Sequence, residues 1–362
     1  MASASRLMRA AVAVTLILGG WTVFAQQAPG KWVTNKYAPV PEPSEEYTNV
    51  VSNNKLYLIG GNAAVFTPGA RAMHPARVQE YDLAADKWTQ KKPVPFFADH
   101  MSTAAYNGKI YVFGGTGAMR QEDPNATLDT AWEYDPAADT WKQIAKLTQK
   151  RTAGAAAEVG GKIYFIGGTT DVTGPDGKNI TAALVVGTNE SYDPATNRWE
   201  SHRAMPTPRN HPAIGVVGGK IYVIGGRIGA NNIGGLVASN IDVVEEYSPA
   251  TDSWRALNRM PTPRSGQGWT TYNGHIYVAG GEGRDYHMEA VYRDVEAFDP
   301  ATNEWEKLPP MPTAWHGVNV AAYNGKLFVI GGHSVFPGGG GHALDAATNE
   351  VFEFANAAPR SN

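Results

Sequence analysis

The sequence predicts an all-β fold in which one four-stranded unit recurs six times and closes on itself as a ring. Three observations carry that expectation. The 362 residues include 40 Gly and 24 Pro and are 43% apolar, with Val, Ile, Tyr and Trp frequent, a balance of short strands and tight turns. An apolar stretch ending in a glycine pair, KIYVFGG at 109–115, returns as KLYLIGG, KIYFIGG, KIYVIGG, HIYVAGG and KLFVIGG, which end at Gly61, Gly168, Gly226, Gly281 and Gly332. Finally, an aromatic residue precedes a Trp at one fixed spacing in five places: Tyr81 and Trp88, Tyr134 and Trp141, Tyr192 and Trp199, Tyr247 and Trp254, Phe298 and Trp305.

Taken from the amino terminus, residues 1–25 read as a cleaved export signal. Arg6 and Arg9 precede an uncharged run that closes on Val23-Phe24-Ala25, and that run is shorter than the roughly 20 residues a membrane span requires. Residues 26–362 are then one domain, expected in the periplasm or secreted, with no stable membrane insertion after cleavage. The chain has no cysteine, which excludes a disulfide and a lipid-anchored amino terminus. Without the leader, 29 Lys and Arg face 34 Asp and Glu, which argues against nucleic acid as a partner.

Each glycine-pair strand follows a two-residue turn: Asn53-Asn54, Asn107-Gly108, Gly160-Gly161, Gly218-Gly219, Asn273-Gly274 and Asn324-Gly325. Such pairs accept the positive φ of a type I′ hairpin. A second hairpin follows at each aromatic-to-Trp segment, as in AWEYDPAADTW at 131–141. The sixth copy, NEVFEFANAA, has no Trp after Phe352, whereas KWVTNKYAPVP near the amino terminus places Trp32 29 residues before Gly61. The amino-terminal strand is therefore expected to complete the last unit, leaving few long strand edges.

The double glycines, the aromatic residue upstream of Trp and a period near 50 residues resemble the kelch family over essentially the whole mature chain. The resemblance implies an all-β, six-bladed kelch β-propeller. It also implies that the double glycines and Trp residues are structural, and that ligand contacts surround the mouth of the central channel.

Two segments of each repeat meet at that end. The strand entrances supply Glu45, Glu46, Asp99, His100, Arg151, Asn210, His211, Trp315 and His316, and the residues after the glycines supply Arg227, Glu282, Arg284 and His333. Spacing from second glycine to aromatic varies here from 17 to 24 residues, whereas the opposite turns are uniform. His100 and His211 also suit a polar tie at the strand start, and Arg151, Arg209 and Arg264 recur in register, as interblade hydrogen-bond donors would. Glu46, Glu282, His100, His211 and His316 are the candidate catalytic residues.

The expected function is binding of a small polar ligand, carbohydrate or carboxylate, or of a protein segment, by a monomer. The alternative is a sugar epimerase or mutarotase using Glu and His as acid and base, by analogy with a kelch sialic acid epimerase. A metal-dependent oxidoreductase using the histidine cluster is a third reading, although no cofactor is expected and the histidines lack a recognised ligand spacing. A copper-radical site of the galactose oxidase type is excluded, because its Cys-Tyr link needs a cysteine.

Overall fold

A computed structural model describes residues 29–44, 46–61, 76–120, 126–173, 179–229, 239–284, 289–335 and 342–355. The expected leader, Glu45, and the centres of several channel-mouth loops lie outside them. Among the described residues no helix is long and apolar enough to cross a membrane.

Six antiparallel four-stranded sheets carry the fold, in agreement with six repeats. The first runs from its innermost strand outward as Thr48–Ser52, Lys55–Ile59, Val78–Asp82 and Lys87–Gln90. The innermost strands of the next five are Ser102–Tyr106, Ala155–Val159, Ala213–Val217, Gly268–Tyr272 and Asn319–Tyr323. The first hairpin of every sheet turns through two residues of positive φ, as at Asn107 (49°) and Gly108 (75°), so the turns are of the expected type.

Six apolar clusters lie between the sheets, one at each interface. Five join consecutive sheets, as when Tyr57 and Ile59 of the first meet Ile110, Val112 and Tyr134 of the second. In the remaining cluster Phe328, Ile330 and Val351 of the sixth sheet meet Leu56, Leu58 and Tyr81 of the first, which closes the ring. Strand pairing closes the ring as well: Gly30–Val33 pairs with the last strand, Asn349–Phe354, and sets Trp32 opposite Phe352. The amino-terminal strand completes the sixth sheet as expected.

The repeated residues hold the ring together. Each indole N–H reaches back to the preceding sheet: Trp88 to Ala38 O, Trp141 to Lys92 O, Trp199 to Ala145 O, Trp254 to Arg203 O, Trp305 to Asn258 O and Trp32 to Pro309 O, all at 2.8–3.1 Å. Asp and Asn side chains add a second tie, since Asp139 Oδ1 accepts from both Lys92 N and Tyr134 Oη. The second glycine donates onward, as Gly115 N does to Arg151 O at 3.0 Å.

Gly115 also shows why that position tolerates no side chain. Its φ is +105°, and a Cβ would meet Asp99 O and Met101 Cγ at 2.7 Å. Gly115→Ala is expected to cost about 1–3 kcal/mol, read as a lower urea midpoint with an unchanged slope.

Candidate ligand site at the channel mouth

The residue at the entrance of each innermost strand adopts a left-handed conformation: Glu46 (52°), His100 (49°), Ala153 (54°), His211 (51°), Gly266 (59°) and Gly317 (60°). From His100 to Gly317 their backbones are joined head to tail. Ala153 N donates to His100 O and His211 N to Ala153 O, both at 2.8 Å; Gly266 N donates to His211 O at 3.4 Å and Gly317 N to Gly266 O at 2.8 Å. This backbone run fixes where the side chains of His100 and His211 begin.

Those three side chains border a cavity of about 80 Å³ together with Thr103, Gln267 and Trp269. His100 Nδ1 lies 2.7 Å from Asp99 Oδ1, and its Nε2 lies 3.3 Å from Glu46 Oε2. Burial by itself would lower the His100 pKa, but the Glu46 and Asp99 carboxylates outweigh it and bring it up to about 9. His211 packs edge-on against His100 with ring centroids 4.9 Å apart, and its Nδ1 lies 2.7 Å from Asn210 Oδ1.

A buried polar chain backs this wall. Arg227 Nε donates to Asn210 Oδ1 at 3.0 Å, and its Nη1 forms a close ion pair with Glu282. Ser265 Oγ donates to Glu282 Oε1 at 3.2 Å, and His316 Nε2 stands 3.9 Å from Glu282 Oε2. His316 and His333, paired across an isolated bridge, bring their rings to 3.5 Å. Two sets of donors share Glu46: Glu46, His100 and His211, and Glu46, His316 and His333, each with its ligand atoms within 4.8 Å of one another.

The structure redistributes the sequence candidates. Glu46, His100 and His211 come together at the cavity; Asp99, Asn210, Arg227, Glu282, His316 and His333 stand behind them, buried. Arg151 is corrected from ligand contact to internal tie. Its guanidinium is 0% exposed, pairs with Glu190 at 2.6 Å and donates to the carbonyls of Phe165, Gly167 and Thr188. Arg209 and Arg264 do the same with Glu245 and Glu296. These side chains bond within their own sheet, and it is their carbonyls, with Trp315 O, that accept from the preceding sheet's glycine.

Trp315, in the same register as those arginines, packs against the core between the fifth and sixth sheets. Glu282, a candidate base, is buried with its carboxylate paired to Arg227. His316, a candidate acid, is 2% exposed and does not border the cavity. Arg284 ends the strand Glu282–Arg284, and its side chain lies outside the described residues, as does Glu45. Sequence reasoning missed Trp269 and Thr103, which border the cavity from the innermost strands Gly268–Tyr272 and Ser102–Tyr106.

A closed ring of repeated four-stranded sheets with its polar residues gathered at one channel mouth defines the class, a repeat-built β-propeller. A family model described as the KLHDC2/KLHL20/DRC7 Kelch-repeats domain matches residues 28–226 and 154–356. The chain belongs to the kelch-repeat family. It is similar to Kelch-like protein terF of Aspergillus terreus, 30% identical over 313 residues, 84% of this chain and 65% of that protein. It is also similar to Kelch-like protein 36 of Rattus norvegicus, 27% identical over 70% of this chain and 39% of the relative. For the Homo sapiens Kelch repeat and BTB domain-containing protein 12 the figures are 26%, 71% and 42%. The chain thus spans less than two thirds of the length of these curated relatives. The solved structure of YjhT shares the fold, with a TM-score of 0.65 at 18% identity, covering 85% of this chain and 95% of that one.

Proposed function

We propose that this propeller, exported through its amino-terminal leader, binds a small polar ligand, a sugar or a carboxylate, in the channel mouth. One observation supports the reading above others: at a position where the other sheets carry Ala153, Gly266 and Gly317, three sheets carry the ionisable residues Glu46, His100 and His211, and all three line a single cavity beside Trp269. The cavity admits a polar end group, which Glu46 and His100 bind while Trp269 covers an apolar face.

A thermal-shift screen of the chain from Gln26, run in chelator against monosaccharides, uronic and sialic acids and short peptides, tests this. One class is expected to raise Tm, since a ligand at a hundred times its Kd adds about 2.7 kcal/mol. Glu46→Gln and Trp269→Ala are each expected to weaken that response about tenfold or more. A response unchanged in both variants places the ligand elsewhere, and silence from every small molecule but not the peptides replaces the ligand with a protein segment.

The contact between Glu46 and His100 also supports a second reading, an isomerase that moves a proton with this pair. Exchange measured by NMR on whichever sugar binds decides it, because a rate that survives Glu46→Gln leaves binding alone.

A further inference from the structure

The three side chains at the cavity share more than a location. Glu46, His100 and His211 occupy one equivalent position in the first, second and fourth sheets, all left-handed, where the fifth and sixth sheets use Gly266 and Gly317. Apart from these three and Ala153, the non-glycine residues of positive φ among the described residues are all Asn or Asp. An ordinary side chain in that conformation costs about 1–2 kcal/mol, so these are carried against backbone preference at one ring of the channel.

Each imidazole is also oriented by the residue before it. His100 Nδ1 is held by Asp99 Oδ1 and His211 Nδ1 by Asn210 Oδ1, both at 2.7 Å. Asn210 is itself fixed, because its Nδ2 donates to Thr169 Oγ1 at 3.0 Å while its Oδ1 accepts from Arg227 Nε. With Nδ1–H engaged, His211 presents Nε2 as a lone pair, the arrangement by which metal-binding histidines are set. His100 Nε2 already stands 3.3 Å from Glu46 Oε2. Two donors about 2.1 Å from one ion at a tetrahedral angle are about 3.4 Å apart.

We propose that Glu46, His100 and His211 hold one divalent transition-metal ion at the channel mouth. Two imidazoles and a carboxylate suit zinc or a similar first-row ion and leave coordination positions facing the cavity. Arg227 Nη2 approaches His211 Nε2 to 3.4 Å, but its Nη1 and Nε are engaged by Glu282 and Asn210. The other set sharing Glu46 is less suited, because His316 and His333 are 2% and 0% exposed and do not border the cavity. Metal binding here does not depend on the organic ligand proposed above, which is sought in chelator.

The test uses the chain from Gln26 without a histidine tag, stripped by chelator and titrated with Zn²⁺ alone by calorimetry, with bound metal counted by atomic spectrometry. One ion per chain is expected. His100→Ala, His211→Ala and Glu46→Gln are each expected to weaken it at least tenfold, Asp99→Asn about 10–100-fold, and the exposed His275→Ala not at all. Zinc well below one per chain overturns the proposal. So does affinity within twofold of wild type in both His100→Ala and His211→Ala, or loss in His316→Ala with retention in those two. Should the variants not fold, Cu²⁺-loaded wild type examined by pulsed electron paramagnetic resonance is expected to show two coordinated imidazoles, and none overturns the site.

Discussion

Arg209→Ala is expected to destabilise the propeller by about 3–5 kcal/mol, the largest loss from any single side chain considered. The guanidinium is 0% exposed, donates to Glu245 Oε2 at 2.9 Å and Val223 O at 2.9 Å, and burial lowers its pKa to about 10, which leaves it charged at neutrality. Removing it strands the Glu245 carboxylate, whose remaining neighbour is the Thr207 hydroxyl at 2.8 Å. The penalty arises from the uncompensated charge more than from the lost attraction. The double replacement Arg209→Met with Glu245→Leu is therefore expected to regain most of the stability. Urea unfolding of the two variants beside wild type measures this, and a loss below about 1 kcal/mol in Arg209→Ala would mean that water reaches the pair. The sixth sheet shows the arrangement without an arginine: Trp315 takes its place, and burial raises the Glu350 pKa although Thr313 donates to the carboxylate from its hydroxyl, at 2.9 Å, and from its backbone.

A chain beginning at Pro41 is expected to lose about 5 kcal/mol and its single cooperative transition. Residues before it supply the outer strand of the sixth sheet, the Trp32 ring tilted against Phe352 with centroids 5.4 Å apart, and the indole bond to Pro309. Val40, 2% exposed, is lost with them from the cluster that joins the last sheet to the first. The last strand, Asn349–Phe354, would then present a bare edge, and such edges pair between molecules. Calorimetry and light scattering test this: a broad transition at lower temperature with concentration-dependent aggregation is expected. An unchanged, monomeric melt would show that the ring closes without the amino-terminal strand.

How far the architecture was legible follows from particular residues. The turns Asn107-Gly108 and Gly160-Gly161 announce their hairpins because few residue pairs tolerate positive φ twice. The solitary Trp32 and the missing Trp after Phe352 announce the closure, because each indole must bond across an interface and the sixth interface needs one too. The candidate site was legible only in outline. His100 and His211 stood out by register, and so did Arg151, but register alone does not say whether a side chain points into the channel or into its own sheet. Glu190 decides that for Arg151, and it lies 39 residues away in sequence.

By itself, then, the sequence determined the repeat, the turns, the interlocking Trp and glycine positions, and the strand that closes the ring, since each of these rests on local backbone preference and fixed spacing. The tertiary structure alone decided which polar residues are bound up in buried pairs and which face the cavity. It brought Glu46, His100 and His211 from three separate sheets to one cavity, buried Arg151 and Glu282, and packed Trp315 against the core. The physical reason is that burial and charge pairing depend on neighbours in space, and a ring makes neighbours of residues that no sequence window contains.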